Sequence, residues 1–447
     1  MELVTLLIAT TCSFLIFLRK PADALIIYIL ALAWYPSYVT LKLGTVDFPV
    51  SRILIIAIFF KICLSASLSF KFKISRLDKL MLVYFMAQIV SGLFTEPMKD
   101  LLINRSGACL DTICPYFAVR ILLKSKKDYI YLLKGIIFLS VPLGFIGMYQ
   151  SLTGKNLFGF YRQYHAWGKT ASLDYLLRGN FYRAEVTFSM SIMYGLYYSI
   201  LTPTCCAVVL CVKGHKKTIY TLLLIAMVFS GLACMSSGPM LAMAVSALVL
   251  CCYRFRGHWR PVVYFFLAFC IIAEIVSNRH FYDILGSLTL NPETAWHRSK
   301  LINIAFFEGG MRGHWLMGFG FKDPGWGPRL GAYVTDITNH FILILCRFGL
   351  LGLIPFILII IESIRQLLSA LTISSNVKDK KIIWCLLSTM GGSLVAMMTV
   401  SMVGQPVTCF YIFLGFCVVL NNINYNTEMK RLKQSRRRFK RKIVLQK

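Results

Sequence analysis

Runs of about 17 to 25 apolar residues, the length that crosses a bilayer as a helix, recur from Leu3 to Leu420 with short basic clusters between them. Lipid offers the backbone no hydrogen-bond partners, so each such run must satisfy its own N–H and C=O groups as a helix. The pattern therefore predicts an all-α, polytopic transmembrane bundle. Composition agrees: 57% hydrophobic and 15% charged residues cannot supply the polar surface that a water-soluble chain of 447 residues needs.

In a soluble protein the formal charge of +29 would suggest nucleic acid. Here the bases sit in clusters between apolar runs, as the positive-inside rule requires, and nucleic acid is not an expected partner. The fifteen cysteines, among them the neighbours Cys205/Cys206 and Cys251/Cys252, are scattered through the apolar runs without zinc-type spacing. They read as small buried hydrophobes.

The clusters Arg19/Lys20, Lys71 to Lys79, Lys124 to Lys127, Lys213 to Lys217, Arg254 to Arg260 and Lys378 to Lys381, with a basic tail over 422–447, are assigned to the cytoplasmic side. Two crossings fit between each consecutive pair, which gives about 12–13 helices in a single membrane domain over 1–421. They fall near 3–18, 23–39, 50–69, 79–95, 106–123, 130–151, 191–212, 218–235, 238–253, 260–277, 340–364, 382–403 and 406–421. The first run lacks a basic n-region and a small-residue cleavage site, so it reads as a helix entering from outside, with the carboxyl terminus cytoplasmic. Asp111, Pro115 and Arg120 interrupt the run from Leu101 to Lys124. Lys61 and Lys134 lie near cytoplasmic ends, where long stems let an ammonium reach the interface.

Two stretches, 154–190 and 278–339, do not read as membrane helices, and both fall on the outer side. Mixed Gly, Pro, Trp, Tyr and ionisable residues make them the expected seat of chemistry. The first carries Arg162, His165, Lys169, Arg178 and Arg183 against Asp174 and Glu185, an excess of base where little is expected. Guanidinium forks bind phosphate oxygens in a bidentate way, so an anionic ligand would account for them, as would lipid headgroups or local ion pairs. Arg183, directly before the next apolar run, is the favoured residue.

The second loop adds Arg279, Arg298, Lys300, Arg312, Lys322 and Arg329 and holds four of the seven histidines, His280, His297, His314 and His340. None offers H-x-x-x-H or H-E-x-x-H spacing, and no metal or other cofactor is expected. The segment AWHRSKLINIAFFEGGMRGHWLMGFG over 295–320 begins as an amphipathic helix, Arg298 on its polar face and Ile302, Ala305 and Phe306 on its apolar one, and ends in a glycine-rich turn. His340, at the mouth of the following helix, is placed to take a proton from an acceptor hydroxyl, or else to cap that helix.

The W-L-M-G-F-G-F turn followed by N-H-F-I-L-I-L-C-R-F-G-L-L-G-L resembles the signature region of the bacterial O-antigen ligase/polymerase (Wzy-type) family, through Arg298, Gly318, Gly320, Asn339, His340, Gly349 and Gly352. Arg183 followed by Gly195 and Pro203 is similar to a second stretch of that family. The resemblance implies a metal-independent glycosyltransferase of the bacterial inner membrane. It would move glycan from undecaprenyl diphosphate at the periplasmic face. His340 and Arg298 would be catalytic; Arg183, Arg178, Arg312, Asn339 and His314 would bind the diphosphate or substrate; a flippase and a chain-length regulator would be partners, beside membrane lipid. The family's H-N order is altered, with Thr338 before Asn339 and His340 after it, and Arg347 stands near a place that often holds an acid. These differences favour polymerisation of O-antigen or exopolysaccharide repeat units over ligation to lipid A-core. A secondary transporter or flippase is the alternative of another class, and predicts broken helices with acids at mid-membrane.

Overall fold

A computed structural model describes residues 1–44, 46–65, 73–165, 177–258, 264, 268 and 292–445. The protein is all-α, and seven of its described helices are long and apolar enough to cross a membrane. Helices α1 (Glu2–Leu18), α2 (Pro21–Trp34), α3 (Val50–Leu64) and α4 (Arg76–Thr95) come first, with a hairpin of Thr40–Leu43 and Val46–Pro49 between α2 and α3. Next are α5 (Met98–Ala108), α6 (Cys114–Leu122), α7 (Lys126–Thr153), α8 (Ser191–Cys211), α9 (His215–Leu232) and α10 (Ser237–Cys251). The remainder is α11 (Pro292–Phe306), α12 (His340–Ile373), α13 (Val377–Thr399) and α14 (Gln405–Leu445). Helices thus occur at twelve of the predicted positions, and the thirteenth, 260–277, lies outside the described residues apart from two isolated helical positions, as do Lys169, Asp174, Arg279 and His280.

Short chemistry at the ends explains where helices start. Ser75 and Ser125 each accept from the N–H three residues on, while Asp78 and Asp128 reach back to the serine N–H, closing two capping boxes. Lys61 does more than reach an interface: its ammonium donates to the carbonyls of Ile16 and Arg19, terminating α1.

The polar residues that interrupt 101–124 are absorbed without ending the helix. A π turn at Cys109–Ile113 joins α5 to α6 and swings Asp111 out to Arg52, which grips it with two bonds of 3.0 and 2.6 Å. Arg120 holds the buried Asp78 in the same forked way at 3.0 and 2.8 Å, and the Tyr116 hydroxyl donates to that carboxylate at 2.6 Å. In α11 the buried stripe is Leu301, Ile304 and Ala305, one position off the predicted face, and Phe306 is exposed.

At the end of the bundle opposite the basic clusters, the far end, the inter-helix segments tie to one another. Thr187 donates to Ala33, Ala184 to Ala233, Asn339 to Met398 and Ser401 to Ile337. Around this ring the two long loops meet the helix ends.

Candidate functional site

The segment from His340 is not the straight helix that its hydropathy predicts. Gly349 has φ +62° and ψ −162°, a conformation essentially closed to other residues, and it breaks α12 into arms over 340–348 and 350–373. The rings of His340 and Phe341 lie 5.6 and 6.0 Å from that of Phe356. A straight helix would set residues 340 and 356 about 24 Å apart, so the arms fold against each other as a helical hairpin with Gly349 at its tip. The second arm runs antiparallel to α4, Phe356 beside Tyr84 and Glu362 beside Arg76.

A broken helix leaves carbonyls and N–H groups without intrahelical partners, and burial makes each of them expensive. The W-L-M-G-F-G-F turn supplies those partners. Phe319 and Gly320 donate to the carbonyls of Cys346 and Arg347 at 2.6 and 3.2 Å, while Leu350 and Leu351 donate to those of Trp315 and Leu316 at 2.7 and 3.2 Å. Ser91 of α4 adds a bond of 2.6 Å to the Met317 carbonyl. The two glycine motifs, separate in sequence, are one object in space. Gly318, also at positive φ, lets the turn approach: a Cβ there would stand 2.5 Å from the Cys346 oxygen.

This assembly collects charge. Arg105 of α5, 5% exposed, donates to Glu96 and to Gln88, each at 3.1 Å, and its guanidinium lies 4.8 Å from the Phe348 ring and 5.2 Å from that of Phe321. Arg347 of α12 lies 4.6 Å from the same Phe321 ring. Among the described residues Arg347 enters no ion pair, whereas Arg105 is paired with Glu96 at 3.1 Å. Two guanidiniums against one carboxylate leave a net positive charge around Phe321. Sequence reasoning did not single out Arg105, and treated Arg347 as a departure from a motif. For Arg347 the signal was present, since an arginine inside a long apolar run is a functional candidate by default; α5, which also carries Lys99 and Asp100, gave none for Arg105.

The predicted residues divide into several groups. His340 stands at the start of the first arm with its ring against Phe356, its Nδ1 buried and without a partner among the described residues, as is Thr338 Oγ1 two residues earlier. Asn339 is committed to the fold, its Oδ1 accepting from the N–H groups of Phe341 and Ile342 and its Nδ2 donating to Met398, so it fixes His340 at the start of α12. His314 is likewise structural in its contacts, with Nδ1 3.2 Å from the Gly318 carbonyl and its ring stacked 4.0 Å from Phe319. Arg298 is half-buried on α11 with Nε unpartnered among the described residues, and burial pushes its guanidinium below the ordinary arginine value. Among those residues no hydrogen bond, ion pair or ring contact joins it to His340. Arg183 is half-buried at the far-end ring near Cys234, while Arg178 and Arg312 are exposed.

Fold and site together define a multi-pass helical membrane protein with a folded-back helix and a glycine-rich turn beside the buried Arg105 and the half-buried Arg347. No protein-family model matches the chain, and no curated protein matches it.

Proposed function

We propose that this protein polymerises surface-polysaccharide repeat units in a bacterial inner membrane, with its carboxyl terminus cytoplasmic and its far end periplasmic. The observation that carries the reading is the pairing of the two glycine motifs, which sets Arg347 and Arg105 against Phe321 at the end of the arm that begins with His340. In the reaction an acceptor sugar hydroxyl attacks the anomeric carbon of the donor glycan, the bond from that carbon to the diphosphate oxygen breaks, and undecaprenyl diphosphate departs with the bonding pair. His340 receives the hydroxyl proton. Arg347, with no carboxylate of its own among the described residues, offsets the negative charge that grows on the leaving diphosphate, an effect worth about 2.7–4 kcal/mol of barrier per donor in comparable sites. Arg105, tied to Glu96, positions that charge. Arg298 and Arg183 stand as contacts for the donor along the two long loops.

A secondary transporter gains one observation, since the break at Gly349 is of the kind found where transporters bind substrate. The scarcity of acids weighs against it: Glu96 is already occupied by Arg105 and Asn104. Lipid-linked and surface glycans from a strain lacking the protein, resolved on a gel and complemented by wild type, Arg347→Ala or Arg298→Ala, separate the readings. Loss of long chains with single repeats still attached is the expected result. Long chains stranded on the lipid carrier would mean a ligase, and unaltered glycan would overturn the transferase reading.

A further inference from the structure

A second candidate site lies at the opposite end of the bundle and does not rest on the transferase reading. A cavity of about 480 Å³, within the range of small-ligand sites, opens among α8, α9, α10 and α13. Its walls are apolar, including Leu224 and Val228, and no carboxylate lines it. Ile225 and Val228 are 46% and 38% exposed, so it opens sideways to the hydrocarbon rather than to water. At the basic end the wall becomes polar. Lys381 Nζ, in the lining, lies 5.7 Å from the Tyr253 ring, which meets Trp384 edge-on at 5.9 Å; the Arg256 guanidinium, just beyond the lining, lies 4.6 Å from the same ring and donates to the Tyr253 carbonyl at 3.4 Å.

Two hydroxyls in this lining, Tyr253 Oη and Thr202 Oγ1, are buried with no hydrogen-bond partner among the described residues. Buried hydroxyls are normally satisfied, and an unpaired one costs about 1–3 kcal/mol, so two on one cavity ask for a ligand with polar atoms. The ligand must also be anionic, to answer two cations with no carboxylate between them, and must end in hydrocarbon, to fill the apolar remainder. The larger cavity of about 670 Å³ beside Arg19 and Lys134 is less one-sided, because Asp23, held by Tyr131 at 2.8 Å, lies in its wall.

We infer that the cavity headed by Tyr253, Arg256 and Lys381 binds one anionic phospholipid, its phosphate between the two cations and the tyrosine hydroxyl and one acyl chain along Leu224 and Val228. Basic pockets between membrane helices recognise anionic headgroups in this manner. The site places a resident lipid against α9, whose basic half buries little of its own surface: only Leu224, Met227, Ser230 and Gly231 of that helix are buried.

The purified full chain, delipidated and titrated with phosphatidylglycerol or phosphatidylcholine, is weighed intact by native mass spectrometry, which counts lipids on folded protein alone. The expected result is one phosphatidylglycerol retained in preference to phosphatidylcholine. Arg256→Ala with Lys381→Ala should weaken retention at least tenfold, Tyr253→Phe severalfold, and Val228→Trp, which fills the chain groove and leaves the cations, should also release the lipid. Exchanging the exposed Lys216 and Lys217 for alanine should change nothing. Equal retention of the zwitterionic lipid, full retention in the double alanine variant, or retention unmoved by Val228→Trp would each overturn the site. So would displacement of the lipid by inorganic phosphate, which would make it a pocket for a free anion.

Discussion

Replacing Gly349 by alanine tests the helical hairpin, because a straight helix and a folded one predict opposite signs. In a straight α12 the exchange removes a helix-weakening glycine and stabilises by about 0.8–1 kcal/mol. In the hairpin the new Cβ would stand 2.6 Å from the Met317 nitrogen and closer still to the Leu316 carbonyl, both main-chain atoms that no side-chain rotation can clear. The backbone conformation at φ +62° adds strain of about 1–3 kcal/mol. Relief requires the turn to withdraw, breaking the bonds from Leu350 to Trp315 and from Leu351 to Leu316. Each leaves a buried donor unpaired, at about 1–3 kcal/mol. The sum is about 3–9 kcal/mol, which raises the opened population of the hairpin by roughly a hundred- to a millionfold.

Peptide-resolved alkylation reads this directly, since Cys346 is 2% exposed, sits one residue before Arg347 and has its carbonyl bound by the turn. Gly349→Ala should accelerate labelling of Cys346, lower the thermal midpoint and abolish long glycan. Gly318→Ala should act in the same direction, its Cβ meeting the Cys346 oxygen. Gly391→Ala is the control: it sits in regular helix with nothing nearer than Val249 Cγ2 at 3.4 Å, so it should be neutral or mildly stabilising. A Gly349→Ala protein as stable as wild type, with Cys346 still protected, would refute the hairpin and the site built on it.

Arg347→Ala should remove polymeric glycan while the thermal midpoint holds, because no ion pair among the described residues is broken; Arg105→Ala should instead destabilise by about 3–5 kcal/mol by stranding the buried Glu96. Arg120→Ala should cost a similar amount through Asp78, with the loss recovered in part when Asp78→Asn is added, as thermal unfolding in detergent would register. In the loop, the Thr335 hydroxyl and the Gly325 N–H donate to Asp323 and hold its carboxyl below the usual range. A depressed folded pKa stabilises above the unfolded value of about 3.9 and is lost as pH falls through the lower folded one. Exchange of the Gly325 and Thr335 amides, normalised for intrinsic rate, should therefore stay slow at neutral pH and quicken below about pH 4, and Asp323→Asn should be fast throughout.

Much of the bundle was legible because its signal is additive. Hydropathy sums over about 20 residues, so the helices near 130–151, 191–212 and 382–403 emerge with ends a few residues from those observed, at Lys126–Thr153, Ser191–Cys211 and Val377–Thr399. Pairwise facts are not additive. Nothing local says that Asp111 finds Arg52, or Arg120 finds Asp78, and without those partners 101–124 looks like a damaged helix instead of an intact one with a π turn. The site was legible in its motifs and illegible in its arginines. Glycines flagged the turn and the tip of the hairpin, but which cations surround them depends on α5 lying beside α12, a tertiary fact with no periodicity to betray it.

The hairpin also shows why a charge-based topology is silent about shape. The first arm, 340–348, is too short to cross the hydrocarbon and the second, 350–373, is long enough to cross by itself, so the number of full crossings between the loop after 278 and the basic cluster at Lys378 is unchanged whether the first arm of α12 runs straight or folds back. Every count of crossings is blind to it. What distinguishes the two is local: Gly349 lies between Phe348 and Leu350 in a conformation other residues avoid, and a second glycine turn supplies the hydrogen bonds that a broken helix in an apolar interior cannot do without. A glycine in the middle of an apolar run, matched by a glycine-aromatic turn just outside it, is therefore the pattern by which an amino-acid sequence alone signals a folded-back helix. Here that pattern coincides with the place where Arg105 and Arg347 converge on Phe321.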